Sequence, residues 1–284
     1  MTIKISKFIN FIKNIFAWLE NELIIVYAAQ ASFFWTISFV PLIMLSIQLL
    51  QYIIPVDKYT LTELFVNFIP QDNQIFVFFE NIIDEIFGKT NFPIVSITAI
   101  TLLWSASKGI RSISRCIINI YGKPEETNFI KYFLFSFIYT IIFIIVLISA
   151  MILILFGRKL EEYTSRQDII IYNILRVIFN LKSFISFIIL ILIFVFAYRG
   201  MAGNKLHVKF KFRYHIAGAV FSAAGWLVFS FFYTIYIDKF SNYSYIYGSL
   251  TAIILLMLWL YFCIIIFLLG AKINVLIYEK YAVK

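Results

Sequence analysis

Charge is scarce in this chain, and so are the residues that cross-link or hold metals. Only 14% of its 284 residues are charged, against 62% hydrophobic and 20% aromatic. A soluble domain carries about a quarter charged residues, so this chain has too few to coat a water-exposed surface. Two cysteines, Cys116 and Cys263, exclude a disulfide framework, and with His207 and His215 they show no metal-ligand spacing. No metal and no cofactor is expected. Carboxylates are also few, 15 against 24 lysines and arginines, which disfavours proton-coupled antiport through buried acids. Residues 1–22 lack the apolar core of a signal peptide, because Lys4, Lys7, Lys13, Glu20 and Glu22 interrupt them.

Long apolar runs are what the chain does have. A helix needs about 20 mainly apolar residues to span a bilayer, and six segments qualify: about 31–54, 93–115, 132–157, 183–199, 214–236 and 246–271. The fold class expected is therefore all-α, a single integral membrane domain over 1–284 with six transmembrane helices. Phe8, Phe11, Ile12, Ile15, Phe16 and Leu19 recur at helical spacing, so 1–27 reads as an amphipathic helix lying at the interface. The N-terminal segment, the second and fourth connections and the C-terminus hold sixteen of the 24 lysines and arginines. The positive-inside rule then puts both termini in the cytoplasm. Between 55 and 92 the chain is acidic, and Asp72 followed by Phe76, Phe79, Ile83 and Ile86 predicts a capped amphipathic helix.

Polar residues inside the apolar runs fall into two patterns. Thr98, Thr101, Ser105, Lys108, Ser112, Arg115 and Asn119 are spaced alternately three and four apart, which makes one helical stripe about 31 Å long. Gln30, Pro41 and Gln48 share a face of the first span, while Tyr247, Thr251, Tyr261 and Lys272 fall near one direction of the sixth. These faces outline a candidate polar groove between spans one, two and six. Its cytoplasmic half would carry Lys108, Arg115 and Lys272, a setting suited to an anion such as a lipid phosphate. The plainer account is that hydroxyls bond back to their own helices and the lysines snorkel to the interface. The second pattern is one of small residues. Gly248, Ala252, Cys263, Gly270 and Asn274 on the sixth span, and Gly218, Ser222 and Gly225 on the fifth, predict close helix packing. Pro41 in the first span is placed with these packing positions.

Three stretches resemble the YihY/virulence factor BrkB family of bacterial inner-membrane proteins: AAQASFFWTISFVPLI (28–43), LWSASKGIRSISRCIINIYG (103–122), and 218–274, with its YGSL and LLGA motifs. The resemblance implies a six-helix bundle in the bacterial cytoplasmic membrane. Some members carry a ribonuclease label and others a virulence label. Members of the family usually place an acidic residue where this chain has Lys272, and often a proline where it reads YRGMAGN (198–204).

A metal-dependent nuclease needs clustered carboxylates or histidines, and a metal-free one needs a positioned acid and base. Neither is visible here. His207 and His215 read as surface residues beside a basic loop, and the net charge of +9 is explained by anionic headgroups rather than nucleic acid. The sequence therefore points to a non-enzyme without catalytic residues. The expected function is transport, or handling of a lipid or other envelope component, through the groove. The alternative is a structural scaffold of the envelope. Expected partners are anionic lipid headgroups on the cytoplasmic face, together with a membrane protein or a second copy of the chain.

Overall fold

In hydrocarbon every backbone amide must be satisfied within its own segment, so an apolar chain of this kind folds as helices. The computed structural model describes residues 18–53, 58–59, 62, 81, 83–84, 92–122, 134, 137–142, 145, 187–201, 212–239 and 249–282. Five helices organise them: α1 (Ile24–Ile53), α2 (Phe92–Tyr121), α3 (Phe187–Met201), α4 (Arg213–Lys239) and α5 (Ser249–Ala282).

Local chemistry fixes several of the helix ends. A short helical turn at residues 18–21 leads into an elbow at Glu22–Leu23, where Leu23 takes the left-handed backbone, φ 51°. That conformation costs a non-glycine residue roughly 1–2 kcal/mol, so other contacts must hold the elbow in place. At the far end of α2, Gly122 adopts φ +96° and its amide donates to the carbonyls of Ile118 and Asn119 at 3.1 and 3.2 Å. This is a glycine cap closing the last turn. α1 runs through Pro41 without breaking, which is tolerated where neighbouring helices and hydroxyls satisfy the freed backbone groups.

α1 packs along α2, α5 along α4, and α5 also touches α1 and α2. One core draws on all five helices: Ala28 and Ala31 from α1, Ile113 and Ile117 from α2, Val195 from α3, Ala219 and Ala223 from α4, and Leu268 and Ala271 from α5. Its inner faces are lined with alanine, which lets the backbones approach. A smaller cluster of Leu45, Leu102 and Ala106 closes the other end of the α1–α2 pair. Large apolar side chains such as Val26, Ile100, Phe196, Phe231 and Phe232 face outward, each more than half exposed. That would be an aggregation hazard in water, but it is a proper contact surface in a bilayer.

The expectation of six spans is corrected. Among the described residues three helical stretches are long and apolar enough to cross a membrane: Ile24–Leu49, Arg213–Ile237 and Ile253–Tyr281. α2 has the length, about 45 Å for its 30 residues, but its stripe of hydroxyls and cations lowers its apolarity. α3 is apolar, and its described residues Phe187–Met201 cover about 22 Å. Most of the segment expected at 132–157 lies outside the described residues, as do residues 1–17 of the N-terminal amphipathic helix. Of the amphipathic helix expected from Asp72, Ile83 is buried, while Asp72, Phe76, Phe79 and Ile86 also lie outside them. The all-α character stands.

Candidate functional site

The α1–α2 seam consumes much of the polar stripe. Ser38 and Ser105, both buried, bring their hydroxyls to 2.7 Å. Each hydroxyl also lies 2.7 Å from a carbonyl of its own helix, Ser38 from Phe34 O and Ser105 from Thr101 O. One of the two hydrogens therefore bridges the helices while the other bonds back. Two turns on, Ser112 Oγ donates to the Tyr27 carbonyl at 2.8 Å and lies 3.0 Å from Gln30 Oε1. Asn119 Nδ2 reaches the Tyr27 hydroxyl at 3.4 Å. Gly109 gives the close approach here: a Cβ at that position would collide with the Trp35 indole. Thr98 is buried, whereas Thr101 is exposed and bonds back to Ile97 O at 2.9 Å. Gln48 and Ser46 are buried, and among the described residues neither Gln48 Oε1 nor the Ser46 hydroxyl has a hydrogen-bond partner.

The cations lie along the edge of this seam. Lys108 is half-buried, its ammonium 3.6 Å from the Trp104 ring centroid and 5.1 Å from that of Phe34. Two aromatic faces can hold a lysine this way without a carboxylate. Arg111 is half-buried and Arg115 exposed. Positions 108, 111 and 115 lie on one side of the helix. Lys272 pairs instead with Glu22, its Nζ 2.5 Å from Oε1, with both side chains less than one-fifth exposed. Glu22 also accepts the Cys116 thiol on its backbone carbonyl at 3.7 Å. The strained elbow before α1 is thus pinned to α5 through its side chain and to α2 through its carbonyl.

A second polar cluster joins α2, α4 and α5. Asn274 Oδ1 accepts the Gly218 amide at 2.7 Å, and its Nδ2 donates to the Tyr121 hydroxyl at 3.1 Å. That hydroxyl lies 3.0 Å from His215 Nδ1, with the two rings stacked. One turn deeper, Tyr198 of α3 donates to the Phe267 carbonyl at 2.6 Å and meets Ser222 Oγ at 2.7 Å. Tyr121, Tyr198, His215, Ser222 and Asn274 are all buried.

The structure brings Gly218, Ser222, Gly270 and Asn274 together, because a Cβ at Gly218 would strike Gly270 O and Asn274, and one at Gly270 would strike Ser222. Gly225 faces Ile266, and Cys263 is buried. Pro41, Thr251 and Tyr261 are half-buried, Pro41 on α1 and the other two on α5. Tyr247 and Gly248 lie outside the described residues. The surface placement expected for His215 is corrected: it is 1% exposed, because α4 begins just before it and turns its ring inward against Tyr121. His207 lies outside the described residues. The sequence reading did not single out Tyr121, Tyr198 or Tyr27, although an asparagine in an apolar helix signals that such a partner must exist. Among the described residues no group of His, Cys, Asp and Glu could hold a metal ion.

The family described as Virulence factor BrkB matches residues 16–284. The ribonuclease-like protein YfkH of Bacillus subtilis (strain 168) is 28% identical over 257 residues, covering 89% of this chain and 90% of its own length. UPF0761 membrane protein VV0203 of Vibrio vulnificus (strain YJ016) is 33% identical over 72 residues, covering 25% of this chain and 23% of its own. Protein VV1_0885 of strain CMCP6 matches to the same extent. No solved structure matches the chain.

Proposed function

Because the chain belongs to the YihY/BrkB family of inner-membrane proteins, we propose that it binds and moves an anionic envelope lipid along the basic edge of α2. The observation that carries this is the row Lys108, Arg111 and Arg115 beside a hydrogen-bonded seam, with Arg115 exposed and Lys108 held by aromatic rings. Guanidinium groups match phosphate oxygens bidentately, and a lysine can add a point charge beside them. The ion pair with Glu22 removes Lys272 from this set, so the proposed site narrows to α2. Both termini are proposed to face the cytoplasm, where anionic headgroups concentrate.

The test is reconstitution into vesicles of phosphatidylethanolamine and phosphatidylglycerol carrying a fluorescent phosphatidylglycerol. Lys108→Ala combined with Arg115→Ala should cut both protein-dependent lipid movement and anionic-lipid retention at least tenfold, with folding intact. Unchanged flux in the double variant would overturn the proposal.

A second reading, a non-transporting scaffold of the envelope, is supported by the closure of the α1–α2 seam by Ser38–Ser105, Ser112–Tyr27 and Trp35 over Gly109. It expects a stable membrane partner to co-purify, and repeated isolation of the chain alone counts against it. The ribonuclease-like name of the Bacillus relative bears on this chain only as a prompt for assay. We propose no RNA cleavage, on the ground that the half-buried carboxylate beside the core, Glu22, is engaged by Lys272.

A further inference from the structure

Lys108 reaches away from the other cations of α2. Side chains on a helix lean toward its N-terminus, and α2 starts at Phe92 and ends at Tyr121. The Lys108 ammonium follows that lean: it lies 3.6 Å from the ring centroid of Trp104, one turn further from Tyr121. A snorkelling lysine would reach the other way, past Arg111 and Arg115 to the nearer membrane boundary.

Its depth follows from α1. The Cys116 thiol meets the Glu22 carbonyl at 3.7 Å, so Arg115 stands level with the start of Ile24–Leu49, a stretch long and apolar enough to cross a membrane. Phe34, the second ring beside the Lys108 ammonium, lies about 15 Å further along α1 than Ile24. Hydrocarbon is roughly 30 Å thick, so the ammonium lies near its middle. Arg115, Arg111 and Lys108 thus step inward over about 10 Å of helix, and the lean of Lys108 adds the rest.

A charge at that depth is costly and marks a pathway more often than a packing role. Ring faces hold one side of an ammonium, and its remaining N–H groups stay available to an anion. Ile97, Ile100 and Trp104 continue the same side of α2 and are 66%, 68% and 52% exposed. Lipid tails can therefore lie beside the cations, and beyond Lys108 this side carries apolar groups that do not hold a phosphate.

We propose that Lys108 is the midplane station for a lipid phosphate. The headgroup enters at Arg115, moves inward to the Lys108 ammonium and leaves toward the opposite leaflet, while its tails stay in lipid. This rests on the proposed binding of an anionic lipid at the basic edge of α2. It adds that the movement is transbilayer and that Lys108 sets its rate.

Two measurements separate this step from the binding. Phosphatidylglycerol retained through purification in detergent reports capture. Bleaching of fluorescent phosphatidylglycerol by external dithionite, in vesicles of phosphatidylethanolamine and phosphatidylglycerol, reports crossing. Lys108→Met keeps a linear side chain beside the rings without the charge. It should slow crossing at least tenfold while lowering retention no more than about threefold, and Lys108→Arg should restore crossing to within about threefold of the native rate. Arg115→Ala should lower retention and crossing together. A native chain that neither retains nor moves the lipid would overturn the binding and this step with it. Retention without crossing, or unchanged crossing in Lys108→Met, would overturn the midplane step alone. Depth is checked without any lipid substrate. A nitroxide on Lys108→Cys should collide with oxygen in preference to a water-soluble nickel chelate, and one on Arg115→Cys should do the reverse. A preference for nickel at both positions would put Lys108 at the interface and overturn the station.

Discussion

Gly218 and Gly270 face each other where α4 crosses α5, and each is there because the other's backbone leaves no space. A Cβ on Gly218 would meet Gly270 O and the Asn274 amide, neither of which can move without shifting a helix or breaking the bond to the Gly218 amide. Gly225, two positions along the same small-residue row, would meet only the Ile266 Cγ2 at 2.8 Å, the end of a side chain that can rotate. Overpacking a closed interface costs typically 1–3 kcal/mol, so Gly218→Ala should fall near the top of that range and Gly225→Ala near the bottom. Thermal unfolding of the two variants in the same detergent checks this: the midpoint should drop several degrees more for Gly218→Ala. Equal drops would show that the two glycines share one packing role and that the Asn274 contact adds nothing. The small-residue row was legible in the sequence because Gly218, Ser222 and Gly225 keep helical spacing. Gly270 and Asn274, upon which it closes, were legible in the same way, whereas Tyr198 and Tyr121 were not, since they come from other helices.

At the scale of elements, α2 is the helix that the sequence described best and whose surroundings it described least. Periodicity marked a continuous stripe from Thr98 to Asn119, and the helix exists over Phe92–Tyr121. Spacing could not say that Ser105 and Ser112 turn into α1 while Thr101 and Arg115 remain exposed. A stripe wider than a contact seam is divided by where the neighbour lies. Lys272 was harder still, because its partner is 250 residues earlier, in a segment whose pattern suggested an interfacial helix. That partner gives the elbow before α1 its meaning. Leu23 holds a left-handed backbone, and the Glu22–Lys272 pair offsets its strain by tying the elbow to α5. Charge-assisted hydrogen bonds contribute about 1.5–3 kcal/mol, so Glu22→Lys or Lys272→Glu alone should lower stability by roughly that amount. The double exchange should recover at least half of the loss. A double variant as unstable as the sum of the two singles, measured by chemical or thermal unfolding, would mean that the pair does not hold the elbow.

For the whole molecule, the contacts decide how the helices are gathered without any count of spans. Glu22 before α1 meets Lys272 near the end of α5, Ser114 near the end of α2 meets the Met201 carbonyl at the end of α3, and Tyr121 meets His215 at the start of α4. One end of the bundle therefore collects the start of α1, the last turns of α2 and α3, the start of α4 and the last turns of α5. Arg115, Arg199, Arg213 and Lys280 lie at the same end and are exposed, and the orientation proposed above, from the positive-inside tendency, would put that end in the cytoplasm. Tyr59, 76% exposed, follows α1 beyond its opposite end. Both native thiols are buried, so a membrane-impermeant maleimide should report mainly on cysteines introduced for the purpose. In sealed right-side-out vesicles, Tyr59→Cys should label at once, and Lys280→Cys should label only after the membrane is opened. The reverse order would invert the bundle and move the basic edge of α2 away from the cytoplasmic headgroups. Labelling of both from the same side would break the link between the Glu22–Lys272 end and a single membrane face.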